Sequence, residues 1–244
     1  TLTGSGAAGF FNAVNVNGLS GNVTVNITSD IVETGAITLL QWAGTNTINI
    51  IPSSASLKTI FGNVALPLID LNGADRVTFD GRFGGSGRYL KFYNSNTGGQ
   101  TFRFINDASY NTITYCIVDG MRVSPTSGII DFGSTTGTTG NDFNTVSYCT
   151  MKDVSSNTLQ NAIVSNGSTT VGRYNNNITI SNNELANVYV NGQNCSAILL
   201  LNGSTDFTIT GNSIFLTTTK TPTSATIWIL IYINTSIANN ITVN

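Results

Sequence analysis

The feature that most constrains this chain is a unit that keeps returning along it. Each copy has an apolar stretch, a sharp corner, and a second stretch in which apolar and polar residues alternate. Its plainest copy is ILLLNGSTDFTIT, from Ile198 to Thr210, with the corner at Asn202-Gly203. IDLNGADRVTF (Ile69 to Phe79), RFINDASYNTIT (Arg103 to Thr114) and LLQWAGTNTINI (Leu39 to Ile50) repeat it. Longer-looped copies run from Ile129 to Ser147 and from Ala162 to Ile180.

With Ile209 as the centre of the second stretch, its counterparts are Val25, Ile50, Phe79, Ile113, Val146, Ile180 and Val243. The steps between them are roughly 25 to 34 residues, a spacing that marks solenoids and arrays. Alternation at a period of two rules out a helical repeat. One residue before each centre stand Thr24, Asn49, Thr78, Thr112, Thr145, Thr179, Thr208 and Thr242. An outward file of threonine is what strands stacked about 4.8 Å apart would present. A further file before each corner (Trp42, Leu71, Ile105, Phe132, Val164, Leu201 and Ile233) is expected to supply a second wall of the core. These signals predict an all-β fold, a right-handed parallel β-helix of about seven to eight coils over residues 21–244.

Residues 1–20 precede the first rung, and Phe10, Phe11 and Val14 sit at helix-compatible spacing before Asn17-Gly18, so this segment is expected to cap the stack. The last residues, Asn240 to Asn244, begin a rung without completing it, which predicts that the natural polypeptide continues beyond residue 244. Cys116 and Cys149 follow their centres at the same offset, in ITYC and VSYC, and are expected on adjacent rungs, as a reduced stack or as a bridge. Cys195 has no partner in that register.

The opening to about Gly120, with GSGAAGFFNAVNVNGLSGNVTVNITSDIVETGAITL, INIIPSSASLKTIFG, LIDLNGADRVTFDGR and FRFINDASYNTITYCIVDG, resembles the β-helix region of large secreted surface proteins of Bacteroidota. Such proteins commonly carry adhesin-like repeats and a C-terminal sorting domain for type IX secretion. The resemblance implies a secreted or cell-surface location and other domains of the same polypeptide as partners. It carries over no catalytic residue.

Only 9% of residues are charged and the net charge is −2, so no electrostatic footprint for nucleic acid is present. The longest apolar run, Ile227 to Ile233, is far short of the roughly 20 residues that span a bilayer, and no membrane insertion is expected. There is no histidine, which excludes a Ser-His-Asp triad and imidazole metal ligation. The Asp and Gly-His-Gly elements of pectinase-like hydrolases and the Arg-rich pattern of pectate lyases are missing. The sequence offers no catalytic, cofactor or metal-binding residues, and asparagines read as turn and ladder residues. Asp119 and Asp153 lie at similar offsets on adjacent coils, with Lys152 in register with Asp119. An inter-coil ion pair is the plain account of them, and a hydrolytic carboxylate pair the sharper one. Asp70 and Asp131 share an outward offset on non-adjacent coils.

Two surfaces stand out. If Ile227, Ile229, Ile231 and Ile233 point inward, Trp228, Leu230 and Tyr232 point outward beside Ile198 and Leu200. That apolar patch would meet a loop such as Ser165 to Asn176, a partner protein, or a glycan. The file Thr78, Thr112, Thr145, Thr179, Thr208 and Thr242 is the other, and it resembles a degenerate ice-binding array. The leading expectation is a non-catalytic stalk or adhesin that presents contact surfaces to a partner or glycan. A carbohydrate-active enzyme of β-helix fold is the main rival, and an ice-binding solenoid the lesser one.

Overall fold

The computed structural model describes residues 1–6, 9–156, 158–237 and 240–244. The chain winds through three parallel sheets. Sheet A holds eight strands, from Val23–Ile27 to Thr242–Val243. Sheet B holds seven, from Ile31–Val32 to Ser213–Phe215, and sheet C seven, from Leu39–Leu40 to Trp228–Ile233. Each strand pairs in parallel with its counterparts one winding away, so the molecule is a β-solenoid. It is about six turns tall, slightly short of the seven to eight coils that the repeat spacing predicts. The copies read from sequence contain two strands each, whereas every winding has a third, in sheet B.

Sheet A follows the predicted register along its whole length. Val25, Ile50, Phe79, Ile113, Val146, Ile180, Ile209 and Val243 are consecutive Cα partners, and so are the residues from Thr24 to Thr242 one step before them. Sheet B contributes the inward file Ile60, Phe92, Val118, Met151, Leu185 and Ile214. One phenylalanine from each sheet meets in the core. Phe79, Phe92 and Phe102 lie with ring centroids 4.9 to 5.6 Å apart, edge to face, a geometry that suits the aromatic quadrupole.

The predicted second wall is out of register. The inward file of sheet C is Leu39, Leu71, Phe104, Phe132, Ser165, Leu200 and Ile233. Leu71 and Phe132 lie in that file and in the core as expected, and Ile233 lies in the file but is 39% exposed at its end; Trp42 is buried in the core from outside the file, and Ile105, Val164 and Leu201 stand one position away from it. At Phe104-Ile105 and Leu200-Leu201 two apolar residues adjoin and the first faces in, whereas at Val164-Ser165 the inward residue is polar. Ser165 is fully buried because Asn175 Nδ2 donates to its hydroxyl at 3.1 Å and Ser204 Oγ lies 2.8 Å away. Trp42 lies beyond its strand, with Nε1 donating to Asn46 O at 3.0 Å.

The corner from sheet A to sheet B explains the cysteines. In the four upper windings it has two residues: Tyr115-Cys116, Tyr148-Cys149, Asn182-Asn183 and Gly211-Asn212. The first of each is left-handed, with φ of 52°, 55°, 56° and 64°. The second turns inward and donates to the carbonyl of the centre residue one winding below. Cys116 and Cys149 reach Phe79 O and Ile113 O at 3.5 and 3.6 Å, and Asn183 and Asn212 reach Val146 O and Ile180 O at 2.9 and 2.8 Å. Thiol and amide fill one column. All three cysteines are free and buried.

The N-terminal segment, which the spacing of Phe10, Phe11 and Val14 allows to be a helix, a hairpin or an irregular strap, forms the helix Phe10–Asn17, with Phe11 and Val14 buried. The buried Glu33 carboxylate accepts the backbone N–H groups of Leu2 and Thr3, which ties the first residues of the chain down. No helix among the described residues is long and apolar enough to cross a membrane.

Candidate functional site: a cleft on the outer face of sheet B

On sheet B the outward side chains form two files. One is Thr59, Lys91, Ile117, Thr150, Glu184 and Ser213; the other is Phe61, Tyr93, Asp119, Lys152, Ala186 and Phe215. Long side chains stand on the lower windings and again at Phe215. Between them Asp119, Thr150 and Ala186 are short and leave a cleft of about 360 Å³, walled by Leu57, Lys91, Ile117, Lys152, Glu184 and Phe215 among others. It shares Ile117 and Thr150 with a depression of about 450 Å³ against Tyr115 and Arg88. Strand alternation sets the composition of this wall, because every second residue must face out.

Asp119 lies at the floor of the cleft and is only 1% exposed. The Lys91 ammonium, from the winding below, binds its Oδ2 at 2.9 Å. Its Oδ1 has no hydrogen-bond partner. Burial pushes the Asp119 carboxyl above the usual carboxylate range, and the Lys91 ammonium pulls it part of the way back. Lys152 is the in-register neighbour of Asp119, as the sequence implies, but the ion pair goes to Lys91. Asp153 stands opposite Gly120, one strand position away, so alternation turns it from the face that Asp119 occupies. The suggested Asp119 and Asp153 pair is not assembled.

The two arginines beside this floor are paired with carboxylates. Arg88 donates to Tyr148 O at 2.7 Å and approaches Glu184 at 3.4 Å. Arg82 holds Asp80 through Nε and Nη2, at 2.9 and 2.7 Å, and lies 4.6 Å above the Tyr115 ring. Tyr115 and Tyr148 stack at 4.7 Å and 9°, as Phe61 and Tyr93 do at 5.4 Å and 10°. Phe215 belongs to neither stack and is exposed at the cleft rim.

The C-terminal patch is placed in part. Trp228, Leu230 and Tyr232 are exposed, at 39%, 44% and 38%, so no loop among the described residues covers them. Ile198 and Leu200, assigned to the same surface, are instead fully buried, because they pair with Ile231 and Ile233 on the inward side. The outward neighbour of Tyr232 is Leu199. The threonine file is single and continuous, from Thr78 through Thr112, Thr145, Thr179 and Thr208 to Thr242. The file two positions on is less uniform: Asp80 holds Arg82, while Thr114 and Ser147 are buried and bonded to each other at 3.0 Å. Asp70 and Asp131 do share a file, with Arg103 between them binding Asp70 at 2.7 and 2.9 Å.

Sequence reading found Asp119 and Lys152 but missed Lys91, Arg88, Glu184 and Phe215. With the third strand of each winding unread, nothing brought those four residues together. Searches of protein-family models, of curated proteins and of solved structures find no match to this chain.

Proposed function

We propose that this chain is a non-catalytic β-helical module of a bacterial cell-surface or secreted protein, a stalk or adhesin that offers the sheet B cleft as a contact surface. The carrying observation is how the cleft is built. It sits on paired strands, joins apolar and charged walls, and ties its acids into ion pairs, Asp119 with Lys91 and Glu184 with Arg88. A rigid wall of mixed polarity suits recognition, because little ordering is lost on binding. The exposed Trp228, Leu230 and Tyr232 would be a second contact area, since aromatic side chains supply large contact surfaces. Other domains of a longer polypeptide, a surface protein or a glycan are the partners this reading admits.

One observation favours a carbohydrate-active enzyme. The Asp119 carboxyl is raised, the direction a general acid needs, and Glu184 shares its cleft. Incubating the purified chain with neutral and acidic polysaccharides, and following new reducing ends and unsaturated products, decides between the two. The adhesin reading expects no turnover. Product formation that Asp119→Asn abolishes would replace it with the enzyme.

A further inference from the structure

We propose that the sheet B cleft binds an anionic polysaccharide, with Lys152 taking the anionic group, Asp119 accepting a sugar hydroxyl and Phe215 covering the apolar face of a ring. This names the ligand class of the contact surface proposed above and rests on that reading.

The first support is the distribution of charge. The chain has ten Lys and Arg residues and a net charge of −2. Four of the ten, Arg82, Arg88, Lys91 and Lys152, gather on this face. Three have a carboxylate partner here: Asp80 for Arg82, Glu184 for Arg88 and Asp119 for Lys91. Lys152 is exposed, lines the cleft and stands one strand spacing from the buried Asp119. The cleft lining alone is balanced, Lys91 and Lys152 against Asp119 and Glu184, but Glu184 is shared with Arg88 from the adjoining depression. Among the described residues the face as a whole therefore carries four cations to three carboxylates, and Lys152 is the one outside an ion pair. Anions concentrate at such a point.

The second support is independent of charge balance. Asp119 Oδ1 is buried at the floor of the cleft with no donor, and a buried acceptor gains from any donor that reaches it. A ligand hydroxyl that reaches Oδ1 while Lys91 keeps Oδ2 supplies that donor. Phe215 adds the third element. Unlike Tyr93 and Tyr115, it is not in a stacked pair, and Leu57, Ile117 and Ala186 continue its apolar surface into the cleft. A hydroxyl donor, an anion and an apolar ring face occur together in acidic sugars. The anion is a carboxylate or a sulfate ester, and the same cation would take either.

Calorimetric titration of the intact chain with hexasaccharides of galacturonic acid (carboxylate only), of a sulfated galactan (sulfate only) and of cellulose (neutral) tests this. Binding of one or both acidic oligosaccharides that weakens about tenfold in Lys152→Gln, the scale of one charge-assisted hydrogen bond, and several-fold in Phe215→Ala is the expected result. Which acidic arm binds identifies the anion. Affinity should also fall as salt rises. Both substitutions are at exposed positions, and an unchanged melting curve shows that the fold is intact. Equal binding of the neutral oligosaccharide, an affinity that Lys152→Gln leaves unchanged, or no binding in any arm overturns the proposal. Neutral binding alone would leave the adhesin reading standing, and that reading fails separately if turnover is seen.

Discussion

Lys91 and Asp119 bind each other at 2.9 Å diagonally between adjacent windings, although the register partners of Asp119 are Tyr93 on the winding below and Lys152 on the winding above. The pair is asymmetric, with the Asp119 carboxylate buried and the Lys91 side chain 26% exposed. Removing the cation alone strands a buried acid. Lys91→Met should destabilise the fold by about 3 kcal/mol, and the double change Lys91→Met with Asp119→Leu should restore most of it. Urea unfolding midpoints of the two variants check this. Equal stability of Lys91→Met and the parent would mean that Asp119 does not depend on Lys91.

Asp131 makes stability depend on pH. Burial pushes its carboxyl up to about 6, despite hydrogen bonds from Gln100 and Ser127 to Oδ2 and the charges of Arg122 and Arg103. A native carboxyl raised above its unfolded value binds its proton more tightly in the native state, so stability is greatest below about pH 4 and is lost as pH rises towards 6. The loss amounts to about 3 kcal/mol. Asp131→Asn should therefore raise the melting temperature at pH 7 and flatten this contribution between pH 4 and 6. A variant that melts lower than the parent at pH 7 would refute the account.

Asn183 carries two backbone groups. Its Oδ1 accepts the Cys149 N–H at 2.9 Å and its Nδ2 donates to Val146 O at 2.9 Å, all in the core. Asn183→Ala leaves both unsatisfied and should cost about 2–4 kcal/mol. Asn183→Cys, which copies the residue in the same column one winding below, should cost less. Denaturation of the two variants side by side gives the order, and a reversed order would contradict the shared column.

The thiols should be silent in the native state. Burial pushes Cys149 up to about 12 and Cys116 well above the ordinary thiol value, and the thiolate is the reacting form. Titration with a thiol reagent at pH 8 should find no fast-reacting group in the native protein and three in denaturant. Only one reactive group in denaturant would instead show that Cys116 and Cys149 are bridged.

How far the sequence could be read followed from the physics of each sheet. Sheet A was legible to the residue, since its centres are uniformly apolar and its outward neighbours nearly all threonine, an alternation that fixes register. Sheet C is legible only in part, because next to the corner two successive residues are apolar (Phe104-Ile105, Leu200-Leu201) or the inward one is polar (Ser165), and alternation then fails to mark which faces in. Ser165 is the instructive case, because Asn175 and Ser204, which satisfy it, are ten and thirty-nine residues away in sequence. Sheet B went unread because the link from sheet A shortens to two residues, so that ITYCIVDG looks like one stretch when it is two strands joined at Tyr115-Cys116. The candidate site lies on that sheet. Its central pair escaped notice because Lys91 and Asp119 are joined diagonally, which offset counting does not reveal.

Arg88 has a mechanical consequence. In a solenoid each coil ordinarily touches only its neighbours, so windings can peel away one at a time. Arg88 leaves the winding that holds Leu90 and reaches past the next one to Tyr148 O and on to Glu184, residues 60 and 96 places along the chain. It acts as a brace across four storeys. Tension applied along the axis would have to free that guanidinium before the storeys it spans could separate individually, so they should rupture as one block and the cleft they carry should keep its shape until they do.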